Sequence, residues 1–382
     1  MRYLVIGSGV AGISAVKEIN KVKDQDIDIT VISKEEDPFY YRPRLIECLS
    51  GDISVEDIII NDREWFEKNN IELLLDKEVI DVNLNEKYVV AEDEEEFSYD
   101  KLLLAQGASS FIPPIDGFGL DGVYALRNGE DAREIYEHIE SCKKAAVIGG
   151  GLLGLESAYN MIKAGLEVTV IERAEHLLQR QIDDAAGDKL KLILEEKHGF
   201  NFYLDAGVEK ISGNEEVEEV ELADGTIISA DLVLFSTGIN PNTSIVEGTE
   251  LEINRGIIVD NKMSTNISDV YAAGDIAEYN GNVYGIWAPS MEEGSVAGKV
   301  MVGKDAEFTG FVPSHTLKVA DVNVVSIGVL SEDEDEDVTS RIEIDDEMSY
   351  CKIFEDKNGD VVGAIIVGDY ENENALLKEI KK

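Results

Sequence analysis

The sequence predicts an α/β protein with two Rossmann-like three-layer domains and a small C-terminal α+β domain. A short apolar strand runs into a GxGxxG loop and a helical segment twice, in residues 2–12 and in residues 145–154. Each copy leads to a second β-rich strand, which gives two βαβ units about 140 residues apart. From Phe308 the pattern changes to short strands, which predicts a separate α+β domain.

Two apolar runs and the breaks that follow them set the expected domain boundaries. Leu102–Ala105 and Leu232–Phe235 are continuous apolar runs, which are typical of buried parallel strands. Phe111–Pro114 and Gly238–Asn242 interrupt regular structure, so we expect the chain to cross between domains at both places. The first domain is expected to comprise residues 1–110 and 242–307. The second comprises residues 111–241, and the C-terminal domain comprises residues 308–382.

The charge of the chain excludes some partners. The 382 residues include 79 Asp and Glu against 34 Lys and Arg, which gives a formal net charge of −45. Such a surface repels nucleic acid and anionic membranes, so neither is an expected partner. The acidity indicates solubility or adaptation to a salty cytoplasm, and the alternative is a docking surface for a basic partner. The charge run Glu332–Asp337 is interpreted as a solvated loop rather than a binding tail.

Cysteine usage and the N-terminus bear on the compartment. Cys48, Cys142 and Cys351 are far apart, so no disulfide framework or zinc site is expected and a reducing cytoplasm fits best. The four histidines are scattered, and no bound metal is predicted. The chain opens directly on a strand at residues 2–6, and no apolar stretch approaches the length of a membrane span. We therefore expect a soluble cytoplasmic protein, monomeric or homodimeric.

The glycines of the two GxGxxG loops indicate dinucleotide sites. The first glycine permits a tight turn, the second lets a pyrophosphate approach the backbone, and the third lets helix and strand pack closely. The helix that follows presents free N–H groups to phosphate. One such loop is weak support, but two in a strand–turn–helix context are strong. The two sets are Gly7, Gly9 and Gly12, and Gly149, Gly151 and Gly154.

The residue at the end of the second strand of each unit should contact the adenosine ribose. In the second unit it is Glu172, 18 residues after Gly154. A carboxylate there accepts from the 2′-hydroxyl and repels a 2′-phosphate, which favours NAD(H), although the adjacent Arg173 could accommodate a phosphate. In the first unit the corresponding position is Ser33, and Ser33, Lys34 or Glu35 could hold the ribose.

The chain resembles the FAD-dependent pyridine-nucleotide oxidoreductases over essentially its whole length. Besides the two GxGxxG units, the resemblance rests on the Ala105-Gln106-Gly107 turn, on Arg127 in Ala-Leu-Arg, and on Ala273-Gly274-Asp275. Within this family, Tyr40–Leu45 and Pro313–Val319 are most similar to the NADH:rubredoxin oxidoreductases. The flavin module of nitrite reductases is similar too.

The resemblance implies that the first unit holds FAD and the second holds NAD(H). Asp275 would accept from the ribityl chain, and Val79 would meet the adenine edge. A helix predicted from about Met291 to Val302 would present its N-terminus, at Glu293 and Gly294, to the pyrimidine end of the flavin. The further FAD residues implied are Val10, Ala11, Arg42, Ala105, Gln106, Gly107, Arg127 and Gly274, and the further NAD residues are Leu152, Leu153 and Gly238.

Four side chains are candidates for the chemistry by the same resemblance. Arg42 and Arg44 lie where the family brings positive charge towards the flavin, which would favour its reduction. Glu156 resembles the acid near the nicotinamide, in an Arg–Glu pair or else in a surface or structural ion pair. Lys318 would face the acceptor or the flavin edge, or would be an exposed strand lysine. The redox cysteine of related enzymes would fall at about Pro43, so no cysteine relay is expected.

The function implied is hydride transfer from NADH to FAD, followed by electron transfer to a small iron–sulfur protein, by resemblance rubredoxin. Cofactors of this kind supply the chemistry themselves, so the protein's task is alignment. One alternative is an NADH oxidase that reduces oxygen at the flavin, and another is a nitrite-reductase-like flavin module. A redox-silent FAD-binding scaffold is the alternative that is not an enzyme. Cys48 is expected to be a buried apolar residue of a helix.

Overall fold

The computed structural model describes residues 1–22, 27–311, 315–332 and 337–380, with backbone alone for residues 315–317. Four residues of the predicted charge run, 333–336, lie outside the described residues, as do Pro313 and Ser314 of the Pro313–Val319 segment. None of the described helices is long and apolar enough to cross a membrane. The predicted α/β fold, with two Rossmann-like units and a small C-terminal sheet domain, is confirmed.

The first domain is built on a five-stranded parallel sheet in the order β21-β9-β1-β2-β5. Its strands are β1 Arg2–Ile6, β2 Asp28–Ile32, β5 Ile71–Leu74, β9 Lys101–Leu104 and β21 Val270–Ala272. Leu102–Leu104 are fully buried, as expected for a strand covered on both faces. Helices α1 (Val10–Ile19) and α7 (Trp287–Met301) pack against each other, and both contribute to one apolar core with this sheet.

A three-stranded antiparallel sheet adds to that core. Its strands are β6 Val79–Asn83, β7 Tyr88–Ala91 and β8 Glu96–Ser98. Strands β7 and β8 form a hairpin around the acidic tip Glu92–Glu96. Two short two-stranded sheets complete the domain, formed by β3 Phe39–Tyr40 with β4 Ile59–Asn61 and by β20 Ile257–Val259 with β22 Ala277–Tyr279. Its remaining helices are α2 Leu45–Cys48 and α3 Arg63–Lys68.

The second domain repeats the architecture with a parallel sheet in the order β11-β18-β12-β13-β14. Its strands are β11 Val123–Ala125, β12 Lys144–Ile148, β13 Glu167–Ile171, β14 Asn201–Tyr203 and β18 Leu232–Phe235. Alternate residues of β12 face two different cores, since Ala145 packs with the helices and Ala146 with a small antiparallel sheet. The helices are α4 Gly129–Ile139, α5 Leu152–Lys163 and α6 Asp184–His198, and the small sheet comprises β15 Val208–Gly213, β16 Val217–Leu222 and β17 Ile227–Ser229.

Two short strands join the nucleotide-binding domains. Strand β10 (Ala108–Ser110) leaves the first domain and pairs antiparallel with β19 (Ile239–Pro241), which returns from the second. Asn242 fixes this crossing, because its side-chain amide donates to the carbonyl of Gln106 at 3.0 Å. The two segments expected to cross between domains thus lie side by side. The exact boundaries 110/111 and 241/242 stay a prediction.

The C-terminal domain is a five-stranded antiparallel sheet in the order β23-β24-β27-β26-β25. The elements are β23 His315–Val319, β24 Val322–Gly328, β25 Thr339–Asp345, β26 Tyr350–Glu355, β27 Val361–Val367 and helix α8 Glu373–Ile380. One face of the sheet packs on α8, and the other joins the apolar core of helices α4–α6. This domain is therefore seated on the second nucleotide-binding domain.

Candidate functional site

The glycines of the two fingerprints hold matching positions in the two units. Gly7 and Gly149 have φ values of 104° and 120°, which side chains with a Cβ rarely adopt. A Cβ at Gly12 would overlap the carbonyl oxygen of Gly7, and one at Gly154 would overlap that of Gly149. These four glycines are therefore required by the protein's own backbone.

The middle glycines serve a different purpose. Gly9 and Gly151 have extended backbones that any residue can adopt, with ψ of −177° and 177°. A Cβ built on either would meet no atom within 4 Å. Neither the backbone conformation nor the protein's own packing therefore requires glycine at these two positions. A side chain there would instead obstruct the open space in front of the loop. This is the space that a pyrophosphate needs to reach the backbone.

The helix N-termini support the same interpretation. Helices α3, α4 and α6 are capped by the side chains of Asp62, Asn128 and Asp183, which accept from the first-turn N–H groups. Helices α1 and α5, which follow the two fingerprints, have no side-chain cap and no acidic residue in the first turn. Their N–H groups and positive dipole ends are left for an anion. Val10, Ala11, Leu152 and Leu153 form these first turns.

In the second unit a carboxylate stands at the predicted ribose position. Glu172 accepts from the N–H of Gly150 at 2.5 Å and from the N–H of Ala174 at 2.7 Å. Both carboxylate oxygens are thereby oriented beside the fingerprint loop and keep lone pairs for a further donor. Arg173 is exposed. This arrangement suits the two ribose hydroxyls of NAD(H) better than a phosphate.

The first unit has a neutral pair in the same place. The hydroxyl of Ser33 is buried and lies 2.9 Å from the hydroxyl of Ser8, inside the fingerprint. Glu35 is already engaged, since it accepts from Tyr40 at 2.5 Å and from Arg42 at 2.7 Å. Lys34 is exposed. Of the three candidates left open by the sequence, Ser33 is the one that this geometry favours for the ribose.

Two further segments border the first fingerprint. Lys77 donates its N–H to the carbonyl of Ser33 at 3.0 Å, which brings the buried Val79 beside the strand end. Ala105 follows β9, and its carbonyl stands against Gly7. The amide of Gln106 donates to the carbonyl of Asn242, while its Oε1 atom is buried and meets no hydrogen-bond partner among the described residues. A buried acceptor without a donor fits a ligand that supplies one.

Arg127 and Asp275 form an ion pair across the domain boundary. The guanidinium of Arg127 donates to Asp275 at 2.7 Å and to the carbonyl of Ala108 at 2.7 Å. The second oxygen of Asp275 accepts from Ser290 at 3.3 Å. Gly107, with φ of 66°, lies beside the guanidinium. The Asp275 carboxylate retains acceptor capacity for a ribityl hydroxyl in this position.

The prediction for Glu293 and Gly294 is wrong in one respect. Helix α7 begins at Trp287, so these residues lie about two turns inside it and not at its N-terminus. Gly294 packs on the backbone of Ala11 so closely that a Cβ would overlap it. Glu293 is 2 % exposed and accepts from the N–H of Gly274 at 2.7 Å. Burial raises the pKa of Glu293 to about 8.

The place of Arg42 and Arg44 near the flavin stays a prediction, and both guanidinium groups are paired with carboxylates. Arg42 is paired with Glu35 at 2.7 Å and donates to the carbonyl of Arg127. Arg44 forms a two-pronged pair with Glu47, at 2.8 and 2.6 Å. Each guanidinium therefore has its charge offset by a carboxylate of the same segment. The pairs order the loop that carries both arginines.

The remaining candidates are Glu156, Lys318 and the thiol of Cys48. Glu156 forms neither of the two predicted kinds of ion pair among the described residues, and its place near the nicotinamide stays a prediction. Its carboxylate accepts from the N–H of Ala320 at 2.9 Å. Burial, with Asp321 and Glu47 nearby, raises the pKa of Glu156. Lys318 is exposed on edge strand β23. The predicted burial of Cys48 in a helix is confirmed, and burial raises the pKa of its thiol to about 11, which disfavours a reactive thiolate.

The sequence reasoning missed a third element of the repeat. Ser236-Thr237-Gly238 follows β18 as Ala105-Gln106-Gly107 follows β9, and the carbonyl of Ser236 stands against Gly149. Gly238, like Gly107, has a positive φ, here 107°. The signal was present, because LLLAQG and LVLFSTG both place a glycine three residues after the end of a buried apolar strand. Ser8 and Ser290 were missed as well, and no sequence pattern marked them.

The described residues fit two dinucleotides. Each unit combines an uncapped helix, an open glycine position and a polar group at the strand end, and the first adds the buried Gln106 acceptor and the Asp275 carboxylate. No group of three or more His, Cys, Asp or Glu among the described residues could hold a metal ion.

Comparison with known proteins agrees with this geometry. A nitrite reductase [NAD(P)H] from Bacillus subtilis (strain 168) is 40% identical over 384 residues, covering 100% of this chain and 47% of its own length. An NADH-rubredoxin oxidoreductase from Clostridium acetobutylicum is 33% identical, covering 99% of this chain and 94% of that protein. The crystal structure of an NADH:rubredoxin oxidoreductase from Clostridium acetobutylicum has a TM-score of 0.84 at 31% identity and covers 100% of this chain and 94% of that one. An NAD-dependent persulfide reductase from A. fulgidus has a TM-score of 0.90 at 29% identity and covers 100% of this chain and 77% of that one.

The chain spans about half the length of some of the curated relatives it matches, including 47% of the nitrite reductase. Residues 313–382 match the rubredoxin NAD+ reductase C-terminal domain, and residues 1–298 match the pyridine nucleotide-disulphide oxidoreductases. The resemblance seen in the sequence is therefore confirmed. This chain belongs to the family of FAD-dependent pyridine-nucleotide oxidoreductases.

Proposed function

We propose that this protein is an NADH-dependent flavoprotein reductase that passes electrons from bound FAD to a small iron–sulfur protein, rubredoxin or a carrier like it. The observation that supports this most is the pair of open glycine loops, each in front of an uncapped helix, joined by adjacent crossing strands. The C-terminal match to the rubredoxin NAD+ reductase domain supports the acceptor class.

The side chains of this chain bind and orient rather than react. The N-termini of α1 and α5 hold the two pyrophosphates, Glu172 orients the NADH ribose, and Asp275 holds the ribityl chain. The chemistry that FAD would supply when bound is hydride acceptance from NADH, for which no side-chain base would be needed. Arg127 connects the domains by holding Asp275 and the carbonyl of Ala108. The buried Cys48 would not serve as a redox relay.

A comparison of acceptors tests the proposal. The FAD-loaded protein would be given NADH with rubredoxin, oxygen, ferricyanide or a small disulfide, and initial rates would be measured. We expect rubredoxin to be reduced at least 10-fold faster than oxygen. This ratio corresponds to a difference of about 1.4 kcal/mol in activation free energy. Equal rates with oxygen and rubredoxin, or a preference for the disulfide, would contradict the proposed acceptor.

The net charge of −45 predicts how the rate depends on salt. An acidic carrier is repelled by an acidic reductase, and salt screens that repulsion over a Debye length of about 10 Å at 0.1 M. The rate with an acidic rubredoxin should therefore rise as salt is added over the low range. The measurement is the apparent second-order rate constant against ionic strength. A rate that falls steadily would point to a basic partner.

A second candidate is supported by the 40% identity to a nitrite reductase. In that case the chain would deliver electrons to a nitrite-reducing partner or domain. Reduction of rubredoxin at or below the rate of oxygen, together with NADH-dependent nitrite reduction after addition of such a partner, would favour this candidate.

A further inference from the structure

The hairpin turn between β23 and β24 is held by the second nucleotide-binding domain. Val319 pairs with Val322, so the turn consists of Ala320 and Asp321. Both have positive φ, 47° and 63°. This is the backbone of a type I′ turn, which is usually occupied by Gly or Asn and is strained for alanine. A strained conformation of this kind persists only where the surroundings fix it.

Two side chains of helix α5 supply that fixation. The Glu156 carboxylate accepts the N–H of Ala320 at 2.9 Å, and the Tyr159 hydroxyl donates to Asp321 at 2.6 Å. The ring of Tyr159 lies edge-on against His198, with centroids 4.9 Å apart. Ala320 itself is fully buried. The turn is therefore anchored on both of its residues by one helix face.

The same helix carries the NAD-side fingerprint. Gly151 is its N-cap, and Glu156 follows five residues later, about 8 Å along the axis at 1.5 Å per residue. Helix α2, which follows Arg42 and Arg44, also packs against α5. The turn, α2 and α5 contribute to one apolar core. Elements of all three domains thus converge at Glu156.

We propose that Glu156 and Tyr159 are positioning residues that latch the Ala320–Asp321 turn, and with it the C-terminal domain, onto helix α5 for electron delivery to a protein acceptor. The part concerning delivery rests on the proposed function. Glu156 acts here as a hydrogen-bond acceptor, so its charge is not required. This distinguishes the latch from a charged residue beside the nicotinamide.

The C-terminal domain has other attachments that keep it folded when the latch is removed. Lys352 pairs with Asp183 at 2.9 Å, and Lys189 pairs with Asp345 at 3.0 Å, both at helix α6. Variants of Glu156 and Tyr159 should therefore lose alignment rather than the fold. Suitable variants are E156A, E156Q and Y159F, with Y203F as the control, since Tyr203 is an exposed tyrosine of the same domain.

The first test is amide hydrogen exchange at Ala320 in the FAD-loaded protein. Loss of the acceptor in E156A should speed exchange by about 10-fold, whereas the amide oxygen of E156Q should keep it within about 3-fold of wild type. Y203F should not change it. Unaltered exchange in E156A would overturn the latch, and this readout does not depend on turnover.

The second test separates the two halves of the cycle. In Y159F, turnover with rubredoxin should fall about 5-fold or more, while flavin reduction by NADH and turnover with ferricyanide, which needs no docking domain, stay within about 2-fold. E156Q, which keeps a hydrogen-bond acceptor, should turn over rubredoxin faster than E156A. If E156Q reduces flavin as slowly as E156A, Glu156 acts through its charge and the proposal is wrong. If wild type does not reduce rubredoxin, the proposed function fails while the exchange at Ala320 still decides the latch.

Discussion

The two nucleotide-binding units share a backbone frame and differ in the group that ends their second strand. Backbone carbonyl groups at corresponding positions of the two units pack against the fingerprint glycines Gly7, Gly12, Gly149 and Gly154. The strand ends diverge, because Ser33 pairs with a serine hydroxyl whereas Glu172 is oriented by two backbone N–H groups. The frame is thus set by backbone sterics, and the strand-end residue is free to adapt to a different ligand.

The largest effect is expected within the frame itself. G12A and G154A force a Cβ into a backbone carbonyl, so each should lower the free energy of unfolding by about 4 kcal/mol. G9A and G151A meet no protein atom within 4 Å and should cost less than about 1 kcal/mol without nucleotide. Urea unfolding of the four variants measures this. Equal losses at all four positions would remove the distinction between packing glycines and ligand glycines.

The next largest effect is a pH dependence of the unfolding free energy that Glu293 causes, and the second unit has no counterpart to it in this comparison. The pKa of Glu293 is raised from 4.5 to about 8 by burial, so the folded protein keeps a proton that the unfolded chain releases. The contribution of Glu293 to the free energy of unfolding is largest below pH 4.5. It is lost as the pH rises towards 8, with a slope approaching about 1.4 kcal/mol per pH unit.

The variant E293Q stays neutral and should lack that slope. Unfolding free energies of wild type, E293Q and the exposed-neighbour control E292Q would be measured at several pH values between 5 and 8. The difference between wild type and E293Q should grow in favour of the variant with pH. A constant difference would show that Glu293 is ionised throughout the range.

A smaller effect is expected at the strand end of the second unit. E172Q replaces the carboxylate that we propose for the ribose contact, which should lower kcat/KM for NADH about 30-fold, or about 2 kcal/mol. FAD affinity should not change. The exposed Glu175 offers the matched control E175Q. Loss of FAD from E172Q would show that Glu172 belongs to the FAD site and not to the NAD site.

The smallest effect is expected at the corresponding position of the first unit. S33A removes one neutral hydroxyl, so FAD should bind about 5-fold more weakly, or about 1 kcal/mol, with KM for NADH unchanged. K34A, at the exposed neighbouring residue, is the control. FAD titrations followed by protein fluorescence measure the affinity. An effect of K34A larger than that of S33A would reverse the assignment of the ribose contact.

The fold was predictable from the sequence because its signals are local. The glycine spacing and apolar strands of residues 2–12 and 145–154 specify a strand, a turn and a helix without reference to distant residues. Glu172 was predictable for the same reason, since it lies at a fixed distance along one βαβ unit. Ser33 was only one of three choices, because the sequence does not show that Glu35 is taken by Tyr40 and Arg42.

The partners of the charged residues were not predictable. Arg127 meets Asp275 across 148 residues and Glu156 meets Ala320 across 164, and such contacts arise only when domains pack. Helix α7 starts at Trp287, four residues before the predicted start, and its first turn includes Pro289, where proline is tolerated. Local pattern therefore located the sites, and tertiary packing determined which side chains remain available in them.

The most direct test of the account is anaerobic mixing of the FAD-loaded protein with NADH, followed by the visible absorbance of the flavin. Two dinucleotides brought together in one chain predict that the oxidised flavin band bleaches within seconds, and that G151V, which fills the open NAD-side loop, takes up FAD normally but bleaches far more slowly. A protein that stays colourless on reconstitution with FAD, or a flavin that NADH leaves oxidised, would contradict it.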